Sequence, residues 1–163
     1  MTTERTDLGM TARKLARTDV VSVTPDTPIT ETAQTMLDRT VGSAVVTEDG
    51  ELVGVVTDRD IAVEVVAEDG ASSLSSDDVD LDSLTAEDVM TTDPQSVAAD
   101  AKIQRVLRAM NDAQARRIPV VDDDRVVGIV AFDDLVLHLA GECTHVSAQL
   151  DSLAEVVHAE SPD

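Results

Sequence analysis

Gly54-Val55-Val56-Thr57-Asp58-Arg59-Asp60-Ile61 returns as Gly128-Ile129-Val130-Ala131-Phe132-Asp133-Asp134-Leu135, an offset of 74 from Gly54 to Gly128. The offset holds without a gap back to Asp19 and Asp93, through Ser22/Ser96, Asp26/Asp100, Met36/Met110, Val46/Val120 and Asp49/Asp123. A long period seen twice is not a solenoid, which stacks three or more short units to bury a core. It reads as two copies of one small half-domain packed as a pair. Packing two halves together leaves clefts, and clefts hold small molecules.

Each copy reads β-α-β-β-α. In the first, Met10 to Ala16 suits a short helix and Val20 to Val23 a short strand. Thr27-Pro28 starts a helix, with a hydroxyl cap and proline at the first helical position. Ile29, Ala33, Met36 and Leu37 follow at helical spacing. Ser43–Thr47 and Leu52–Val56 form a hairpin around Glu48-Asp49-Gly50-Glu51. Asp58 caps a helix to about Ala67. In the second copy, Asp100 caps a helix carrying Ile103, Val106, Leu107 and Met110. Arg117–Val121 and Val126–Val130 form the hairpin, and Phe132 to Ala140 is helical. The spans are therefore 10–68 for the first repeat, 69–84 for an acidic, Ser-rich linker, 85–140 for the second repeat and 141–163 for a C-terminal tail. In the tail Val146, Leu150, Leu153 and Val157 share one helical stripe, suited to its own module or a second subunit.

Composition excludes several functions. Among 163 residues there are 33 acids against 12 Lys and Arg, a net charge of −21. A strongly acidic surface is one lever halophiles use, and in molar salt the Debye length is only about 3 Å, so an anion site must work by direct contact. Nucleic acid is not an expected partner: no basic patch is present, and with no Trp, no Tyr and one Phe there is no stacking platform. The single cysteine, Cys143, allows no internal disulfide and fits a reducing cytoplasm. The N-terminus lacks a signal-peptide apolar region, and no apolar run is long enough for a membrane span. His138, His145 and His158 lack metal-ligand spacing, so no metal site is expected. No nucleophile–base pair is apparent, so no enzyme is expected.

The chemistry lies where strand meets helix at Gly54-Val-Val-Thr57-Asp-Arg-Asp60. Gly54 permits close backbone approach. Thr57 and the first helical amides offer donors to an anion, and Asp60 can accept two hydrogen bonds at once, as ribose hydroxyls require. This motif, with Arg117-Ile118-Pro119-Val120-Val121-Asp122 and the opening Glu87-Asp88-Val89-Met90-Thr91, resembles a tandem pair of CBS domains, named after cystathionine β-synthase. Lys14-Leu15-Ala16-Arg17 is a looser version of that opening. The resemblance covers Met10 to Ala140.

The resemblance implies an α/β fold with pseudo-twofold symmetry, to which the stripe adds a helical tail, and two clefts that take adenosyl ligands such as AMP, ADP, ATP or S-adenosylmethionine. It implies a regulatory sensor, with no required cofactor, that forms a homodimer and acts on a regulated protein partner. The alternative is a ligand-independent interaction or dimerisation module. Carried onto this chain, Thr57, Asp60, Arg116 and Arg117 build the main cleft. With aromatics so scarce, Val20, Val21, Ala44 and Val45 are the apolar positions expected to flank a base. The second cleft, around Ser43 and Asp134, is expected to be weak or vacant. There Thr57 is replaced by Ala131, and Arg116 and Arg117 correspond to Gly42 and Ser43.

Overall fold

The computed structural model describes residues 9–67, 81 and 83–141. The tail stripe from Val146 to Val157, Cys143, His145, His158 and most of the linker lie outside these residues. In the first repeat the elements are α1 (Ala12–Leu15), β1 (Ser22–Val23), α2 (Ile29–Asp38), β2 (Ser43–Glu48), β3 (Glu51–Thr57) and α3 (Asp58–Ala67). The second has α4 (Ala86–Val89), β4 (Thr91–Thr92), β5 (Val97–Ala98), α5 (Ile103–Ala113), β6 (Arg117–Asp122) and β7 (Arg125–Ala131). A helix over 132–141, α6, closes it. No described helix is long and apolar enough to cross a membrane.

Both hairpins form where the alternation of apolar and turn residues places them. Asp49 and Gly50 both take positive φ, 52° and 88°, as do Asp123 and Asp124 at 49° and 63°. Paired left-handed residues match the twist of two-residue hairpin turns, which favour Asp and Gly. β2 and β6 each pair antiparallel with the following strand and parallel with β1 or β5. The two hairpins then meet edge to edge in a seven-stranded sheet of order β1-β2-β3-β7-β6-β5, with β4 added on β3. The β3–β7 contact pairs Glu51 with Arg125. These are equivalent positions of the two repeats, so the pseudo-twofold axis passes through this pair.

Two helix starts differ from expectation. Pro28 and Lys102 occupy the cap positions of α2 and α5, both in extended backbone and without a side-chain cap. The Thr27 hydroxyl instead accepts from the Thr24 amide at 3.0 Å, and Asp100 lies two residues ahead of the cap. In α3 the cap is Thr57 rather than Asp58, as its bonds to Asp60 show below.

The repeats exchange their openings. Ala12 of α1 is fully buried among residues of the second repeat, including Val97, Val106, Ile118, Val130 and Leu135. Its amide donates to Ala101 O at 2.7 Å, and the Arg13 amide to Ala99 O at 2.9 Å. Reciprocally, Ala86 and Val89 of α4 join Val21, Ile29, Met36, Val46 and Val56 in the first repeat's core. There the Ala86 amide donates to Thr27 O at 2.8 Å and the Glu87 amide to Pro25 O at 2.9 Å. The bridges Thr11–Lys102 and Pro28–Thr85 are symmetry mates of this exchange.

The repeated glycines of the motif serve the crossing. A methyl group on Gly128 would lie 2.7 Å from Ala16 Cβ and 3.0 Å from the Arg17 carbonyl oxygen. On Gly54 it would collide with the Met90 side chain, lying 2.9 Å from Cγ. Backbone cannot yield as a thioether can. Gly128→Ala is therefore expected to destabilise the fold by about 1–3 kcal/mol, the usual scale of overpacking. Gly54→Ala should cost less, because Met90 can change rotamer. Urea melts of the two variants check the order, and equal midpoints would show that the crossing at Gly128 is not tight.

Candidate functional site

Main-cleft chemistry begins at the end of β3. Thr57 and Asp60 form a reciprocal cap on α3. Asp60 Oδ2 accepts from the Thr57 amide at 2.9 Å and from the Thr57 hydroxyl at 2.7 Å, and the Asp60 amide donates back to Thr57 Oγ1 at 3.1 Å. This satisfies orphan amides at the helix start. One carboxylate oxygen carries both bonds, and a carboxylate has about four acceptor sites, so capacity for further donors remains.

Across from this cap stands the second repeat. Gln114 ends α5 in the left-handed region, φ 50°, and turns the chain into β6. That delivers Arg116, Arg117, Ile118 and Pro119 to the opposite wall. Together with Val55, Thr57–Asp60, Thr91, Pro94 and Gln95 they line a cleft of about 470 Å³, within the usual range of small-molecule sites. Thr57, Asp60, Arg116 and Arg117 thus share one hollow. No histidine or cysteine is among its lining residues.

The two arginines differ. Arg116 is held at the rim: its Nη2 donates to Asp133 Oδ1 at 3.0 Å, and its guanidinium carbon lies 5.8 Å from the Phe132 ring centroid. Arg117 lies over the bare Cα of Gly42, where a methyl group would come within 3.3 Å of both terminal nitrogens and 3.1 Å of Asp58 Oδ2. Gly42 therefore gives Arg117 its space. Arg117 lines both clefts. Arg59, not anticipated as a site residue, adds a third guanidinium to the main cleft.

The apolar positions expected there sit elsewhere. Val20 and Val21 line the second cleft, while Ala44 and Val45 are core residues, 1% and 0% exposed. Their repeat equivalents Pro94, Gln95, Ile118 and Pro119 line the main cleft instead. Each cleft takes its carboxylate from one repeat and its β-strand wall from the other, so a base-flanking set chosen from the carboxylate's own repeat falls one symmetry operation away.

The second cleft, about 160 Å³, holds Ser43 and Asp134 as expected, with Arg17, Asp19, Arg117 and Asp133. Gly42 and Ser43 bring no cation, as the repeat alignment has it, but Arg17 and Arg117 reach this cleft from other segments. Arg17 Nε donates to Asp134 Oδ2 at 2.8 Å and Nη2 to Oδ1 at 2.7 Å, the planar fork that guanidinium groups make with carboxylates. The Arg17 backbone is itself pinned to β7, with Arg17 N to Ile129 O at 2.9 Å and Ile129 N to Arg17 O at 3.0 Å. Ala131, standing where Thr57 stands in the other repeat, offers no hydroxyl, so no side-chain cap competes for Asp134. The Arg17 hydrogen bonds hold the Asp134 carboxyl below the usual aspartate value, against the opposing effect of partial burial, with the charges of Arg17 and Arg117 adding to the lowering. Comparing the two openings residue by residue would have found Arg17, because it occupies the place of Thr91.

Two equivalent α/β repeats, interlocked and leaving a cleft on either side of their seam, define the class: a tandem domain pair. The CBS domain model matches twice, over residues 12–67 and 86–141. The chain belongs to the CBS-domain family. It is 35% identical over 123 residues to the CBS domain-containing protein YhcV of Bacillus subtilis, covering 74% of this chain and 79% of that one. Hypoxic response protein 1 of Mycobacterium tuberculosis is 32% identical over 130 residues, 79% of this chain and 85% of that protein. A crystal structure of hypoxic response protein I, with two coordinated zinc ions, overlays with a TM-score of 0.67 and covers 79% of this chain and 98% of that one. Among the described residues here, no three His, Cys, Asp or Glu side chains are grouped to hold a metal ion. The CBS pair of MJ0100, solved with 5′-methylthioadenosine and S-adenosylmethionine, shares the fold at 24% identity and a TM-score of 0.67, covering 82% of this chain and 98% of that one.

A depressed aspartate contributes stability above its unfolded-state pKa and loses it as pH falls through the folded value. Arg17→Ala is expected to move the Asp134 carboxyl titration upward, toward its unfolded-state value, so that the group contributes less stability at neutral pH and less is lost as pH falls. Carbon-13 NMR of the carboxyl checks this. An unmoved Asp134 titration would mean that the fork does not persist in solution.

Proposed function

We propose that the chain is a regulatory module that senses an adenosyl ligand, AMP, ADP, ATP or S-adenosylmethionine, in the cleft between its repeats. One observation carries this reading: Thr57 and Asp60 from one repeat and Arg116 and Arg117 from the other line a single hollow with Pro94, Ile118 and Pro119. Asp60 supplies acceptors for ribose hydroxyls. The guanidinium groups supply planar forks for phosphate oxygens. Pro94, half-buried, is the apolar surface available to a base where no aromatic is present, with Ile118 and Pro119, themselves almost fully buried, also in the lining. The complex of MJ0100 with adenosyl compounds shows what the shared fold can hold in that protein.

A ligand touching both walls changes the relation of the repeats only to the extent that it binds one arrangement better. The readout in this reading is a regulated protein or a homodimer contact, within a salt-rich cytoplasm. No catalytic step is assigned to the cleft, because the Thr57 hydroxyl is committed to its cap. The alternative, an interaction or dimerisation module without a ligand, is favoured by one observation: Val63 on α3 and Val136 and Leu137 on α6 are 52%, 45% and 71% exposed.

A thermal-shift screen of AMP, ADP, ATP, S-adenosylmethionine and NAD in high salt tests the proposal, since a ligand of the folded form raises Tm by mass action. Asp60→Asn keeps an amide oxygen for the α3 cap and removes the charge. Loss of charged hydrogen bonds of about 1.5–3 kcal/mol should weaken binding roughly tenfold or more. A flat response of the wild-type chain across the panel would favour the ligand-free alternative.

A further inference from the structure

We infer that Arg17 is a built-in occupant of the second cleft: its guanidinium takes the carboxylate that would otherwise receive a nucleoside, and removing it creates a second nucleoside site on the same chain. This rests on the reading of the main cleft as an adenosyl site. The observation behind it is a difference at a single pair of equivalent positions. Thr91 pairs through its backbone with Val55 on β3, and Arg17 pairs in the same way with Ile129 on β7. Both residues line their clefts. The short threonine leaves the main cleft open, whereas the long arginine reaches Asp134 with both ends of its fork.

The pair is well placed to persist. Asp134 has only 22% of its side chain exposed, while the arginine retains water on its outer side. The arginine backbone is fixed by two bonds to Ile129, and Ala16 is wedged against Gly128. The backbone is thus already placed, and only the rotamers of the arginine side chain, 70% exposed, are ordered when the fork closes. The smaller volume follows, about 160 Å³ against about 470 Å³.

The chemistry of the released cleft also follows from its lining. Asp134 would be free for ribose hydroxyls, and Val20 and Val21 offer apolar surface. Asp19 and Asp133 are already paired with Arg39 and Arg116, which leaves Asp134 facing Arg117, the one cation left in the lining. That balance suits an uncharged nucleoside and opposes a polyphosphate chain.

The test is equilibrium dialysis with adenosine, the group shared by every ligand of the proposed class, on wild type and on Arg17→Thr, which copies position 91. Arg17→Met, which keeps the apolar stem, serves if the threonine variant folds poorly. One equivalent bound by wild type and two by the variant, the second lost in Arg17→Thr/Asp134→Asn, is the expected result. The second site should be at least about tenfold tighter in the variant than in wild type. One equivalent in both proteins overturns the role of Arg17 and leaves the main-cleft reading standing. None in wild type and one Asp134-dependent equivalent in the variant keeps the role of Arg17 and removes the main-cleft reading. None in either overturns both, as two equivalents in wild type would overturn the blocking role. In the reverse direction, Thr91→Arg should place a guanidinium on Asp60 and abolish main-cleft binding; unchanged binding would count against the mechanism.

Discussion

The structure depends on a reciprocal burial. Ala12 sits in the core of the second repeat and Ala86 in the core of the first. Neither half-domain completes its own interior, because the short helix that fills each one comes from the other. The backbone bonds from Ala12 to Ala101 and from Ala86 to Thr27 fix the depth of insertion. Each opening segment then runs outward over a glycine, Gly128 or Gly54, where no larger residue fits without adjustment. The orientation of the repeats is thereby set by packing rather than by the acidic connection between them.

That constraint positions both clefts. The residue following each crossing, Arg17 or Thr91, is tied to a central strand close to the start of the next helix, where Asp134 or Asp60 stands. The opposite wall comes from the strand and helix end of the other repeat. Two clefts of the same construction therefore differ through a few side chains. In one, a threonine caps the helix and engages the aspartate locally; in the other, alanine stands at that place and an arginine arrives from the exchanged segment. Arg117, resting over Gly42, borders both, and its charge adds to the lowering at Asp134.

Much of this was legible in the sequence. The gapless offset gave the duplication, the Asp-Gly and Asp-Asp turns gave the hairpins, and Thr57, Asp60, Arg116 and Arg117 were found to face one hollow. What the repeat could not convey was which copy packs on which. Equivalence of Ala12 and Ala86 says nothing of the exchange, since a segment buried in its own repeat or in its neighbour has the same pattern. The same ambiguity sent the base-flanking set to Val20, Val21, Ala44 and Val45 in place of Pro94, Gln95, Ile118 and Pro119. The helix starts at Thr27 and Asp100 slipped for a local reason: the Thr27 hydroxyl serves the preceding turn, and the chain stays extended through Pro28 and Lys102.

The exchanged openings bear on how such a chain withstands cutting. Cleavage of the connection would leave two polypeptides, each carrying the piece that completes the other's interior. Held by two inserted helices and the β3–β7 seam, the fragments would remain associated as a nicked but whole molecule. A chain shortened to a single copy would instead retain half of each cleft and a hollow core. Duplication here joined two incomplete folds into one, making the pair, rather than the copy, the smallest unit able to stand alone.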